Sequence, residues 1–526
     1  MARAKVVTSA EAAALIFSGA VVTVSSSSGL GCPDAVLRAI GERFLATGEP
    51  RSLTTIHPIA AGDMYGIAGI DHLAHDGLLK RVIAGSYPSG PSSLPSPRIW
   101  QMIHENRVEA YNLPSGIIFH MHREAAAGRP GVLTTVGMDT VMDPRREGGR
   151  MNEATTEDIV QLVEFDGRQW LYLRSMPTDV AIIRGTTADE RGNIAMEHEG
   201  AYLGALDQAL AARNNGGLVI AQVKRLAAAG TLPAQSVRVP GVLVDYVVVA
   251  PDQMQTTQTV YDPAISGELH VAYSTFEPVE WGADKVIARR AAMELRDGDA
   301  INLGFGISAL VPRILLEEGL HGAVTWVIEQ GAVGGLPLLG FQFGCAANAE
   351  AIMSSPDQFT YFQGGGFDGS LLSFMQVDAD GSVNVSRLAA RPHVTAGIGG
   401  FIDITARARR IVFSGYFTAG GLKLELRDGR LHIVAEGRSR KFVPEVEHVT
   451  FSGRRAGEQG QHVTYVTERC VIRLRPEGLT VEEIAPGVDL ERDVLGQAEI
   501  PLRVSPDLRP MDGRLFRPEP MGLRLA

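Results

Sequence analysis

Ala323–Pro337 reads AVTWVIEQGAVGGLP. Its first six residues, Ala323 to Ile328, are β-branched, aromatic or small, the composition of a buried strand. The predicted strand stops at Glu329, and Gly331, Gly334 and Gly335 follow. In open α/β sheets, ligands bind in the crevice beyond the carboxyl ends of the strands. A carboxylate at that place, beside a loop without side-chain bulk, is a candidate reactive group, because a substrate can approach the backbone closely. The alternative for a single Glu is a solvated turn residue, since Glu is seldom buried.

Working outward from this stretch, the second half of the chain repeats the first. Ser18–Leu37 (SGAVVTVSSSSGLGCPDAVL) and Asp297–Leu315 (DGDAINLGFGISALVPRIL) both read as strand, small-residue loop and helix. Thr187–Glu197 (TADERGNIAME) has a counterpart in Val377–Arg387 (VDADGSVNVSR). In each, an Asp precedes a Gly by three residues, Asp189 before Gly192 and Asp378 before Gly381, which is turn chemistry. Gly216–Val223 (GGLVIAQV) then matches Arg409–Phe417 (RRIVFSGYF) as a strand after a helix. From Gly19 to Asp189 is 170 positions and from Gly298 to Asp378 is 80, so the first half carries an insertion of 90. The expected fold is α/β, with two similar open, mainly parallel-sheet domains covered by helices on both faces. The boundary is placed at 281/282, after the Pro-containing segment Tyr261–Gly282, with an irregular Pro- and Arg-rich tail from about Gly487.

Composition fits two domains of this kind. The chain has 526 residues, 45% hydrophobic and 21% charged, a globular balance. A net charge of -11 speaks against nucleic acid as a partner, which needs a basic face. The cysteines Cys32, Cys345 and Cys470 are odd in number and far apart, so neither a disulfide framework nor a zinc site is expected, and a reducing cytoplasm fits. Thr8 and Glu11 read as a capping box opening a short helix, not as part of a signal peptide. No run approaches about 18 apolar residues, so no membrane span is expected.

Other motifs are weaker. Gly304–Ala309 (GFGISA) has the form of a dinucleotide fingerprint, but no acidic residue ends a second strand at the required distance. His120–Met–His122 and the scattered His57, His72, His75 and His104 lack metal-ligand spacing, and His120 and His122 would need distant carboxylates if they lay on a strand. No GxSxG occurs. Cys345 is read as a small buried residue. Two further glycine clusters, Phe362–Asp368 (FQGGGFD) and Gly397–Phe401 (GIGGF), present backbone amides that suit an oxyanion.

Taken in order, EQGAVGGLP, YFQGGGFDGS (Tyr361–Ser370), VDADGSVNVSR, GIGGFIDI (Gly397–Ile404) and VFSGYFTAGGL (Val412–Leu422) resemble a family I coenzyme A transferase. The resemblance is to the single-chain acetate/propionate (acyl-CoA:acetate or 3-ketoacid) branch. NLPSGII (Asn112–Ile118), PGVLTTVGMDTVMDPR (Pro130–Arg145), RGTTADERGNI (Arg184–Ile194), VIAQVKRL (Val219–Leu226) and GVDLERDVL (Gly487–Leu495) extend it over nearly the whole chain. It implies a homotetramer or homodimer acting on acyl-CoA and short-chain carboxylic acids, with coenzyme A as substrate and no permanent cofactor or metal.

The resemblance also implies that Glu329 is the catalytic carboxylate. It would attack an acyl-CoA thioester, giving an acyl–glutamyl anhydride and CoA thiolate. The thiolate would return to the glutamyl carbonyl, release the first acid and leave a glutamyl–CoA thioester, which a second acid resolves in reverse. Gly399 and Gly400 match the family glycines near the oxyanion, and Gly364, Gly365 and Gly366 are placed along the pantetheine channel of CoA. Two positions depart from the pattern. Ser115 stands where Gln is common, with a shorter donor toward the reacting carbonyl and room for a bulkier acid. Gln363 stands where an acid is common. The competing readings are an acyl-CoA hydrolase on the same fold, a non-catalytic acyl-CoA-binding protein and the dinucleotide oxidoreductase.

Overall fold

The computed structural model describes residues 4–91, 93–389 and 391–526. One sheet has eight strands, all parallel, in the order Lys5–Val7, Tyr246–Val249, Leu218–Val223, Val180–Arg184, Val21–Val24, Leu53–His57, Leu79–Ala84, Glu109–Asn112. A second sheet of ten strands has a parallel centre, His462–Val466, Arg410–Ser414, Gly369–Ser373, Ala300–Leu303, Thr325–Val327. Strands of near-continuous burial such as Val180–Arg184 and Leu218–Val223 are what a sheet covered by helices on both faces requires.

The repeat is visible in this order. Tyr246, Leu218, Val180, Val21 and Leu53 begin five neighbouring strands of the first sheet, and His462, Arg410, Gly369, Ala300 and Thr325 begin five in the same arrangement in the second. The Asp–x–x–Gly pairs form the same turn. The Asp189 side chain accepts from the amides of Arg191 and Asn193 at 2.9 and 3.0 Å, and Gly192 closes onto the Asp189 carbonyl at 2.8 Å. Asp378 does the same with Asp380 and Ser382 at 3.0 and 2.8 Å, and Gly381 closes at 3.0 Å. Between Val21–Val24 and Val180–Arg184 the first half holds extra parallel strands and a separate three-stranded antiparallel sheet, Gly131–Thr134, Arg168–Arg174 and Val160–Phe165.

Two expectations need correction. The tail after Gly487 is not merely irregular: Arg503–Pro510 adds a parallel edge strand beside Gly478–Ile484. The strand leading to Glu329 ends at Val327, one residue sooner than its composition suggests. The Thr8–Glu11 capping box is present at helix Ser9–Ala14. No helix among the described residues is long and apolar enough to cross a membrane.

The two halves share a core. Leu30, Phe119 and Ile265 of the first pack in one cluster with Val327, Phe359, Phe362 and Phe401 of the second. Phe119 and Phe359 stand 5.9 Å apart across the junction. Burying such side chains contributes about 1.5–3 kcal/mol each, so the junction is an integral part of the fold.

Candidate active site

Glu329 is set by a reversal of the chain. Gly331 donates to the Ile328 carbonyl at 2.8 Å, which places Glu329 and Gln330 at the two central positions of a β-turn. Ile328 then bonds back to Ala332 at 2.9 Å, and Ala332–Val333 runs antiparallel to the strand it has just left. Gly331 has φ +124°, and a Cβ there would strike the Met353 carbonyl, so the turn tolerates no side chain at that point. The result is a carboxylate pushed out beyond the end of its strand.

Segment 396–403 of the second half meets the strand ends of the first half around it. Tyr87 donates to the Ala396 carbonyl at 2.6 Å, and Ile398 donates to Asn112 Oδ1 at 2.8 Å. Ser115 donates its amide to the Gly399 carbonyl at 2.9 Å. Asn112 completes the clamp by donating Nδ2 to the carbonyls of Ala84 and Gly85 at 3.0 and 2.6 Å. On the other flank, Gln330 Nε2 donates to Ser27 Oγ at 3.2 Å and to Glu329 Oε1 at 3.1 Å, while Ser355 Oγ holds the Gln330 carbonyl at 3.1 Å. Glu329 therefore stands where the carboxyl ends of the two sheets meet.

The electrostatics fit a reactive carboxylate. Glu329 is half-buried, with an edge reachable by water but little solvation otherwise. That desolvation pushes its carboxyl up to about 7, opposed only by the hydrogen bond from Gln330. No guanidinium or ammonium pairs with it among the described residues. The solvated-turn alternative is thus met halfway: Glu329 is in a turn, but not one open to water.

The expected oxyanion glycines separate into two cases. Gly400 approaches Glu329 so closely that a Cβ on it would overlap Oε2 and lie 2.7 Å from the Phe359 ring. Among the described residues nothing accepts from its N–H. Gly399 is different, because its N–H donates to the Gly85 carbonyl at 2.6 Å and is not available to a substrate in this arrangement.

Ser115 lies under the Gly85 loop. It opens helix Ser115–Ala126 but is fully buried, and its Oγ has no hydrogen-bond partner among the described residues. It packs against Gly85. Ser115→Gln is therefore expected to destabilise the protein by about 1–3 kcal/mol through overpacking, seen as a lower Tm. An unchanged Tm would show that the site has space that this packing denies.

Gly364–Gly366 form the end of helix Ser355–Gly364. Gly365 is left-handed, and the amides of Gly365 and Gly366 donate to Phe362 and Tyr361 at 3.0 and 3.1 Å. These glycines lead into the start of strand Gly369–Ser373, with Gly365 against Arg407, whereas Glu329 lies beyond the carboxyl end of its strand, so the structure does not bring them to the Glu329 turn. Sequence reasoning quoted the motifs holding Asn112, Gln330 and Asp403 but assigned their side chains no part. His122, by contrast, is absorbed into the core, with ring nitrogens on Thr23 Oγ1 at 2.8 Å and the Ile118 carbonyl at 2.9 Å. Burial pushes the Cys345 thiol up to about 12, so it is inert as a nucleophile.

Known proteins share this architecture. The coenzyme A transferase family model matches residues 6–250. The caffeate CoA-transferase of Acetobacterium woodii is 42% identical over 518 residues, 98% of this chain and 97% of that protein. The acetate CoA-transferase YdiF of Escherichia coli K12 is 41% identical over 495 residues, 93% of this chain and 91% of that one. The crystal structure of the acyl-CoA transferase YdiF apoenzyme from Escherichia coli O157:H7 superposes with a TM-score of 0.92 at 39% identity, covering 99% and 98% of the two chains. Its thioester complex with CoA gives 0.91 at the same identity and coverage. With agreement of this extent from end to end, the chain belongs to the coenzyme A transferase family and is a CoA-transferase.

Proposed function

We propose that this enzyme moves CoA between carboxylic acids by covalent catalysis at Glu329. The observation that carries this reading is the half-buried Glu329 carboxylate at the junction of the two sheets, without a cationic partner and against the side-chain-free Gly400. A poorly solvated carboxylate without a counter-ion is a better nucleophile than one in water or in a salt bridge. Attack on the thioester carbonyl gives an acyl–glutamyl anhydride and CoA thiolate. Return of the thiolate gives the glutamyl–CoA thioester and releases the first acid, and a second acid reverses both steps. Each tetrahedral oxyanion needs a donor, and the Gly400 N–H is the one proposed. Binding energy from the remote body of CoA can drive a difficult attack.

The acids are proposed to be short-chain ones. Two relatives of almost equal identity carry the names of very different acids, caffeate and acetate, so both belong in the test. The boundary between the halves is proposed near Trp281, and a cytoplasmic homotetramer or homodimer is proposed from the family resemblance. A matrix of acyl-CoA donors against acid acceptors, with free CoA followed in parallel, tests the assignment. Acceptor-dependent formation of new acyl-CoA with little free CoA is expected. Release of free CoA at the same rate without acceptor would favour a hydrolase.

The nucleophile must be ionised, so kcat/KM is expected to rise with pH through about 7 and level off above it. Below that pH the carboxyl is protonated and cannot attack. A profile flat from pH 5 to 8 would contradict this environment for Glu329.

A further inference from the structure

Helix Ser115–Ala126 begins after Pro114, which offers no side-chain cap. Its second amide is satisfied from the other half of the molecule: Gly116 N–H donates to Asp403 Oδ2 at 2.9 Å, 287 positions away. Asp403 is fully buried. Its other oxygen accepts from Gln363 Nε2 at 2.8 Å. A Cβ on Gly116 would lie 2.7 Å from Asp403 Oδ1 and 2.8 Å from Gln363 Nε2, so the three groups meet only because Gly116 is glycine. A carboxylate at this end of a helix also gains from the helix dipole.

The same short segment carries the site. Ile404 donates to the Gly400 carbonyl at 3.0 Å, so Asp403 and Gly400 share one turn of backbone. Ser115 N–H on the Gly399 carbonyl and Gly116 N–H on Asp403 are successive amides of one helix, gripping both ends of that turn. Whatever holds Asp403 also holds Gly400 against Glu329.

We propose that Asp403 is a positioning residue for the transfer reaction, capping helix Ser115–Ala126 in trans to fix Gly400 against Glu329, and that Gln363 sets the charge Asp403 presents to Glu329. This rests on the reading of Glu329 as the nucleophile.

The charged surroundings of Asp403 are few. Helix Ser115–Ala126 contributes the amides of Gly116 and Ile117, helix Ser355–Gly364 contributes neutral Gln363, and Glu329 is the charged group that acts on it. Further along these helices His120 faces Thr360 and is held down to about 4 by burial, and Arg123 is paired with Asp207 and Asp357. Burial pushes Asp403 up to about 7, with the Gly116 and Gln363 hydrogen bonds opposing and the Glu329 charge adding to it. By the same interaction an ionised Asp403 disfavours ionisation of Glu329.

The test is the pH profile of kcat/KM for Asp403→Asn and Gln363→Glu, both near-isosteric, alongside Asp403→Ala and Glu329→Ala. Asp403→Asn removes a like charge, so the acid limb is expected to move to lower pH by about one unit. Gln363→Glu adds a carboxyl that shares a proton with Asp403, so the limb is expected to move up by a similar amount. Asp403→Ala, which removes the cap as well, is expected to lose roughly 10²-fold in kcat with KM little changed, and Asp403→Asn to restore most of it. Limbs that stay in place, or move in the same direction in both isosteric variants, overturn the proposal while an inactive Glu329→Ala keeps the underlying reading. An active Glu329→Ala overturns both.

Discussion

Glu329→Ala is expected to abolish CoA transfer, with loss of roughly 10⁴-fold or more, the scale on which removing a covalent nucleophile acts. Positioning, desolvation and the donor proposed at Gly400 remain in that variant, but the group proposed to carry the acyl and CoA moieties is gone. Among the described residues no neighbouring side chain stands ready to replace it. Asp403 is enclosed and committed to Gly116 and Gln363, and Cys345 is buried with its thiol held protonated. The stability effect should have the opposite sign. The folded-state pKa of Glu329 lies above the ordinary carboxyl range, so the folded protein holds this proton more tightly than the unfolded chain. Stability from this group is therefore present below about pH 4.5 and is lost as pH rises toward 7. At pH 8, Glu329→Gln is expected to be more stable than the parent by about 1–3 kcal/mol while inactive, a reactive group kept at a cost to stability. Steady-state assays and thermal melts at pH 5 and 8 check both statements. Activity above a few per cent of the parent in Glu329→Ala would remove it from the chemistry.

Gly400→Ala is expected to be the next most damaging change. The added methyl would occupy the place of Glu329 Oε2 and crowd Phe359, which is itself fully buried and unable to retreat. Glu329 must then rotate away, and the Gly400 amide shifts with it. Misplacement of a reacting group by about 1 Å costs about 10²-fold, and loss of an oxyanion donor costs about 10²–10³-fold. A fall of at least 10²-fold in kcat is expected, with a smaller change in KM, because CoA contacts remote from the turn are untouched. The same substitution at Gly399, whose missing Cβ faces open space, should cost far less in activity. Its φ of +56° makes the change a backbone strain, read as a lower Tm. Equal kcat losses at the two glycines would show that proximity to Glu329 is not what makes Gly400 special.

Local chemistry explains why the fold was legible. The Asp189 and Asp378 turns are written into four residues each, and buried parallel strands announce themselves as unbroken apolar runs. The edge strand Arg503–Pro510 was not legible, because it is exposed along most of its length and is held by main-chain hydrogen bonds that any sequence can make. His122 joins a helix because Ile117, Ile118, Met121 and Ala125 bury one face of it, a spacing that the two histidines alone do not show. For the site, Glu329 and its glycine loop are contiguous and could be read directly. The setting of Ser115 was not legible, since its burial behind Gly85 depends on the packing of the Gly85 loop against it. The capping of helix Ser115–Ala126 by Asp403 joins residues 287 positions apart, and no local pattern marks such a pair.

The most direct test of covalent transfer through Glu329 is to incubate the protein with acyl-CoA without acceptor, reduce it with borohydride, and map the product by peptide mass spectrometry. Reduction of a glutamyl–CoA thioester converts that one side chain to an alcohol. The modification is expected on the peptide that contains Glu329, and to be lost when a carboxylic acid is added before the reductant. Turnover with an unmodified Glu329 peptide, or with the label on another residue, would contradict it.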